Sequence, residues 1–560
     1  MALPIPSVFL AIFLAPACPL ARLNSGTGYV TVETSSGHVR GFTEDVDGVM
    51  VDQFLGIPYA EPPVGELRFR KPVPSKPWYP TTLDALEFPS PCAQANGSLP
   101  PAPWLVEREK LREDCLYLNV WTPMERTEDL GVLVWFHGGG YRTGTASSPL
   151  YNSKKLSAVG NIVVVTVNFR LGFLGFLYTG PGTSTGNYLL WDQHMSLRWI
   201  RDNIARFGGD PGRVTVYGES AGSIGISSLL LSPRNTGLIH RAIMASGSNY
   251  WLLPPQNKVG PTFVDRVAKA VGCLTRSYPS SKSHPAEVVN CLRFVPVEDL
   301  MHAEDTEFMD QLVPFSPAHG DDFLPIPEFT AINKGLIIPL ESLMTGLMTE
   351  EGSVFAYFKD PVLLGSQKAP KFTRTQASQF VGKHYLNFLP TTTQMMVNGA
   401  FQQKVRSGSD WTGVWRSVVD SIGDLMISCP TKFFAEAFAK LNRPVYFYVI
   451  DYPSKTWPAW FGAAHFEELQ FVFGMPFRFP ERYTEEDRAQ SMHLMKIVSS
   501  YVSNGRKPEL PDGMEYPVFT KEQPMHVVLN ARNTSLGSAF HEEGCKIYRS
   551  IYQMLGVPTP

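Results

Sequence analysis

The run Val214-Thr215-Val216-Tyr217-Gly218-Glu219-Ser220-Ala221-Gly222 decides how this chain is read. Its first four residues are β-branched or aromatic, as a buried strand requires. Glycines two before and two after Ser220 let the backbone turn sharply enough to push the serine hydroxyl out of the sheet. Residues 224–231 are apolar enough to be the buried helix that such a turn leads into. A bare Gly-x-Ser-x-Gly is also met as an ordinary glycine-rich turn. A strand before it and a helix after it make the serine a candidate nucleophile, which needs a base to activate it.

Working outward, His137-Gly138-Gly139-Gly140 follows a short apolar run at 132–136. Consecutive glycines let backbone N–H groups converge without side-chain obstruction, the arrangement that holds an oxyanion. The expected donors are Gly139, Gly140 and Ala221, the last being the residue after the nucleophile. The chain order serine, acid, histidine places the base toward the C-terminus. Two late histidines qualify: His465, in Gly462-Ala463-Ala464-His465-Phe466-Glu467-Glu468, and His541, whose segment leads into a helix near Cys545. For the acid, Glu350-Glu351-Gly352-Ser353 follows an apolar stretch containing Leu343, Met344, Leu347 and Met348. Glu351 is the choice because of the Gly-Ser after it. A carboxylate there holds an imidazole in the right tautomer and stabilises its cation.

The 29–34 and 38–42 runs alternate around Ser35-Ser36-Gly37, a hairpin signal. Runs at 132–136, 162–169 and 445–450 read as buried strands. Residues 193–207 carry Leu197, Ile200, Ile204 and Phe207 at helical spacing and stop at Gly208-Gly209. Strand, helix, strand in this order gives an α/β protein with a mostly parallel sheet flanked by helices.

With 560 residues, 44% hydrophobic and 18% charged, the chain has material for a large core. Its formal charge of −3 offers no basic face for nucleic acid. Residues 8–14 are almost unbroken apolar and are followed by Ala15, Ala17 and Ala21. We read residues 1–21 as a signal peptide cleaved after 17 or 21, and 22–560 as one catalytic domain. No later apolar span of about 20 residues follows. The expected product is secreted, with no transmembrane segment. Asn96 and Asn533 lie in glycosylation sequons, which fits that compartment. Besides Cys18, six cysteines remain, an even number that suggests disulfides. Neighbour pairing joins Cys92 to Cys115 and Cys273 to Cys291 and leaves Cys429 for Cys545, one of fifteen connectivities.

These residues resemble the type-B carboxylesterase and cholinesterase family over about residues 29–555. The matching runs are Phe54-Leu55-Gly56-Ile57-Pro58-Tyr59-Ala60, Glu113-Asp114-Cys115-Leu116-Tyr117-Leu118-Asn119, Asn168-Phe169-Arg170-Leu171-Gly172, Phe207-Gly208-Gly209-Asp210-Pro211 and the serine turn. The resemblance implies the α/β-hydrolase fold, a catalytic triad of Ser220, Glu351 and His465, and structural ion pairs Arg68–Glu113 and Arg170–Asp192. It implies ester hydrolysis through an acyl-enzyme on a small-molecule ester, with no metal or organic cofactor.

Cys429–Cys545 is similar to the third intrachain disulfide of the cholinesterase branch. Trp457-Pro458-Ala459-Trp460-Phe461-Gly462 is similar to that branch's gorge wall. Trp104, in the Cys92–Cys115 loop, is then expected to bind a quaternary ammonium, helped by Glu219, Tyr151, Phe355 and Trp457. An indole face attracts such a cation by roughly 0.5–2 kcal/mol. Phe466 stands where the family commonly has glycine. Gln311, Leu312 and Val313 stand where acetylcholinesterases have acyl-pocket phenylalanines, which implies room for longer acyl groups. Alternatives are a general carboxylesterase acting on neutral esters and a catalytically silent adhesion relative. The C-terminal helix, 545–555, is expected to be able to form a homodimer.

Overall fold

The computed structural model describes residues 28–95, 110–251, 256–308, 311, 313–360, 368–386, 391–404, 410–504 and 507–560. Trp104, Asn96 and Cys18 lie outside these residues.

A large mixed sheet forms the body. Its N-terminal part is an antiparallel meander of β1 (Tyr29–Thr34), β2 (Gly37–Val46) and β3 (Val49–Pro58), with the short β4 (Thr82–Asp84) beside β2. The 29–34 and 38–42 pairing expected from the sequence is present, with Thr34 opposite Gly37. β5 (Tyr117–Pro123) joins β3, and β6 (Leu130–Phe136) and β7 (Val163–Val167) follow. A separate small ribbon pairs β8 (Tyr178–Gly180) with β9 (Ser184–Thr185). The chain then adds β10 (Gly209–Glu219), β11 (Arg241–Ala245), β12 (Ser342–Met348), β13 (Val445–Ile450), β14 (Met525–Leu529) and β15 (Ser535–Ser538). The order is β1-β2-β3-β5-β7-β6-β10-β11-β12-β13-β14-β15. From β7 to β14 every neighbouring pair is parallel.

The parallel strands are covered on both faces, so they are apolar along their whole length rather than alternating. All seven residues of β6, β12 and all six of β13 are buried. The helix Ala221–Leu231, which follows the serine turn, is buried at every position. A helix apolar all round belongs inside a large core. The expected 193–207 helix starts earlier and ends earlier: it runs Tyr188–Asn203, and a 3-10 turn, Ile204–Phe207, completes it. Gly208, at φ +79, is the left-handed stop that the sequence marked.

Parallel pairing aligns strand ends. Gly218 is level with Phe136 on one side and Met244 on the other, and Met348 is level with Ile450. The C-terminal ends of β6, β10, β11 and β12 therefore open on one edge, where open α/β sheets carry their sites.

Two ion pairs hold the surrounding loops. Arg68 grips Glu113 with two bonds of 2.7 and 2.5 Å, while its Nη1 donates to the carbonyls of Leu292, Arg293 and Val295 at the end of the helix Pro285–Phe294. Arg170 is buried against Asp192 with bonds of 2.8 and 2.6 Å and reaches the Arg70 carbonyl at 2.8 Å. Disulfides join Cys92 to Cys115, Cys273 to Cys291 and Cys429 to Cys545. The last ties the helix Glu542–Met554 to the helix Cys429–Ala439. No helix among the described residues is long and apolar enough to cross a membrane.

Removing one partner of a buried pair leaves the other charged and unpaired, which costs about 3–5 kcal/mol. Asp192→Ala is expected to lose that much unfolding free energy in urea titration; a loss under about 1 kcal/mol would show that Arg170 finds another partner.

Candidate active site

Each element of the site begins at a strand end. β10 stops at Glu219, and Ser220 turns the chain into the next helix with φ +55 and ψ −125. This is a region that side chains rarely adopt, and strain of this kind gathers at functional sites. The turn is held by Ser220 N–H donating to the Ala245 carbonyl at 3.0 Å and Ile224 N–H donating to the Ser220 carbonyl at 2.9 Å. Only glycine fits on either side. A Cβ on Gly222 would stand 2.1 Å from the Phe136 carbonyl oxygen, and one on Gly218 would stand 2.5 Å from Gly222 carbonyl carbon.

β6 runs into His137. That imidazole stacks on Phe169 at 4.3 Å and donates from Nδ1 to the Gly138 carbonyl at 2.9 Å. Burial lowers its pKa to about 4, so it is neutral at pH 7 and serves as a rigid support for the glycines. Gly139 has φ +108, and its carbonyl accepts from the N–H groups of Arg142 and Thr143. The N–H groups of Gly139 and Gly140 donate to no backbone carbonyl among the described residues. Ala221 opens its helix, so its N–H has no intrahelical acceptor either.

β12 runs into Glu351. The buried carboxylate accepts from Ser246 Oγ at 2.6 Å and from Met348 N–H at 2.8 Å through Oε1, and its Oε2 meets His465 Nδ1 at 2.6 Å. A carboxylate only accepts, so the Nδ1 of His465 donates to Glu351. Glu350 points elsewhere. It exchanges backbone and side-chain bonds with Ala463 and so clamps the histidine loop to the acid loop. Glu467 holds the same loop from within, accepting from Ser454 N–H at 2.7 Å and Ala464 N–H at 3.1 Å.

The Nε2 atom of His465 stands 3.1 Å from Glu219 Oε1, within hydrogen-bond reach of that carboxyl. Burial, then the charges of Glu468 and Glu351, holds the Glu219 carboxyl well above the usual carboxylate range. Burial and Glu351 push Glu468 up to about 8. These carboxyls hold their protons, so the wall beside the imidazole carries less charge than its composition suggests.

Ser220, His465, Glu219 and residues 138–140 line one cleft of about 630 Å3. Tyr151 and Phe355, expected there from the sequence, line it too, with the Phe355 ring 4.8 Å from the His465 imidazole. Trp457 is not on its wall and packs behind, against Phe461 and Phe466. His541 is not in the cleft; it pairs with Asp424 beside the Cys429–Cys545 disulfide. Gln311 does not line the cleft, Val313 does, and Leu312 lies outside the described residues. Five contributors escaped sequence reading: Gly144, Ser246, Trp251, Phe358 and Leu469. Ser246 follows β11 directly and is at φ +53, yet Ala245-Ser246-Gly247-Ser248 carries no motif that singles it out. Trp251, Phe358 and Leu469 line the cleft from segments between strands, where no periodicity points inward.

A hydroxyl on a strained turn, an imidazole aligned by a carboxylate, and N–H groups that donate to no backbone carbonyl among the described residues, all beside one cleft, are the parts of an α/β-hydrolase that transfers acyl groups. The chain belongs to the carboxylesterase family, whose model matches residues 29–548, and it is a carboxylic ester hydrolase. It is 33% identical over 550 residues to acetylcholinesterase-1 of Trittame loki, covering 93% of this chain and 94% of that one. It is 32% identical to the cholinesterase of Mus musculus, covering 97% and 90%. It is 31% identical to the acetylcholinesterase of Bungarus fasciatus, covering 95% and 88%.

Glu468 generates a pH dependence. Its folded pKa of about 8 is raised from 4.5, so between those values the folded protein holds a proton that the unfolded chain has released. Stability from this group is fully present below the unfolded pKa and is lost as pH rises through the folded one, at about 1.4 kcal/mol per pH unit. Glu468→Gln is therefore expected to lose a few kcal/mol less than the parent between pH 5 and pH 8 in urea unfolding. Identical losses would show that Glu468 is ionised in the folded state throughout.

Proposed function

We propose that this is a secreted serine esterase that works through an acyl-enzyme, in one catalytic domain following a signal peptide. The observation that carries the reading is the Glu351–His465 bond of 2.6 Å beside the cleft that His465 and Ser220 both line. Ser220 Oγ attacks the ester carbonyl as its proton passes to His465 Nε2. Glu351 stabilises the imidazolium that forms. The N–H groups of Gly139, Gly140 and Ala221 hold the developing oxyanion. His465 then gives the proton to the departing alkoxide. Water repeats the sequence on the acyl-enzyme and releases the acid. The Ser220–His465 contact forms with substrate bound, since such bonds tighten in the Michaelis complex.

For the substrate, we propose choline esters. The supports are aromatic faces at Tyr151, Trp251, Phe355 and Phe358 and the cholinesterase names of the relatives. Quaternary ammonium groups are held by such faces. Val313 is small beside an aromatic residue, which favours acyl groups longer than acetyl. Neutral esters are the second reading. It is favoured by the raised pKa of Glu219, which leaves that carboxyl protonated and weakens the attraction for a cation. Extracellular location and homodimer formation through the helix Glu542–Met554 belong to the same proposal.

Hydrolysis of acetylthiocholine, butyrylthiocholine and 1-naphthyl acetate tests both readings. Choline esters are expected to react with the higher kcat/KM, with butyryl at least equal to acetyl; naphthyl acetate well ahead of both would establish the neutral-ester reading instead. Ser220→Ala is expected to abolish turnover while circular dichroism is unchanged, and retained turnover would refute the serine mechanism. Gly139→Ala is expected to lower kcat by about a hundredfold or more. The added Cβ would stand 2.2 Å from the Thr143 carbonyl oxygen, which displaces one oxyanion donor. An unchanged kcat would remove Gly139 from that role.

A further inference from the structure

Phe466 sits in a conformation that costs its side chain type dearly. Its φ is +62, in the left-handed region that glycine and asparagine enter most easily and bulky residues avoid. The backbone here has the left-handed shape that glycine adopts most easily. A phenylalanine kept under strain next to a catalytic imidazole points to a use for the ring.

The ring is placed for one. Phe466 lines the cleft, with its centroid 6.1 Å from the His465 imidazole and the two planes at 85°. Trp457 packs against it, with ring centroids 5.8 Å apart and planes at 70°. Its carbonyl accepts from Leu469 N–H at 3.2 Å, which fixes the turn and brings Leu469 to the same wall. In acyl transfer the leaving oxygen must come within hydrogen-bond reach of the imidazole nitrogen that protonates it. Space beside His465 is therefore space for the alcohol, and Phe466 occupies it.

We propose that Phe466 is a specificity-determining residue for the alcohol half of the ester: its ring narrows the leaving-group side of the cleft beside His465 and selects against bulky alcohols. The inference rests on the serine-esterase reading above. It concerns the alcohol, and is independent of the acyl preference attributed to Val313.

The test holds one half of the substrate constant at a time. For the acetates of ethanol and 1-naphthol, Phe466→Gly is expected to raise the naphthyl-to-ethyl ratio of kcat/KM by about tenfold or more, the scale on which pocket volume discriminates. Phe466→Asn, which tolerates the same backbone, is expected to move the ratio in the same direction and secures the result should the glycine variant fold poorly. Phe466→Trp is expected to lower it. The butyrate-to-acetate ratio of the naphthyl esters is expected to stay within about twofold. A purely structural role would change all esters together; that outcome, or a shift of the acyl ratio alone, overturns the proposal while leaving the esterase reading intact. Turnover surviving in Ser220→Ala would instead strike the esterase reading itself.

Discussion

The structure depends on the parallel register of its central strands. Because β6, β10, β11 and β12 run the same way and are aligned residue by residue, their C-terminal ends reach one edge together. The glycine loop, Ser220, Ser246 and Glu351 all follow within a few residues of those ends. None of these groups is brought in by a long flexible arm. The close approach of Gly222 to the Phe136 carbonyl then locks the serine turn against the strand that launches the glycine loop. Ser220 and the glycine loop are set against each other by one backbone contact.

His465 is the exception, since it lies in a loop well past β13. Its placement is secured by carboxyls instead. Glu350 and Glu467 bond the backbone of Ala463 and Ala464 just before it, and Glu351 bonds the ring. Glu219 and Glu468 complete a buried acidic surround. So many carboxyls in one dry volume cannot all be ionised, and the raised pKa values of Glu219, Glu467 and Glu468 are the physical outcome. Backbone strain collects in the same place. Of the eleven non-glycine residues with positive φ among the described residues, Tyr141, Ser220, Ser246 and Phe466 belong to the site or adjoin it.

The parts legible in the sequence were those in which local chemistry and function coincide. The serine turn, the glycine loop and the strands around them carry their signals in consecutive residues, and they stand where the reading put them. The acid was legible only as a pair, with the following Gly-Ser favouring Glu351 over Glu350. The pairing of Glu351 with His465 spans separate excursions of the chain, and here resemblance to a family did what periodicity could not. Ser246 was illegible because one short polar residue after a strand has no pattern. Trp457 packs against Phe466, which lines the cleft, and a side chain's place relative to a cavity wall leaves no pattern in the sequence. A left-handed φ at a phenylalanine is invisible without coordinates.

The cleft is assembled from two kinds of material. Its reacting groups hang from strand ends or are bonded to them. Trp251, Val313, Phe355, Phe358 and Phe466 come from the excursions between strands. Such connecting segments tolerate replacement better than the sheet does. What reacts and what is admitted are therefore inherited separately. A lineage carrying this frame can exchange one clientele of esters for another by drift in the walls, with the chemistry passed on untouched.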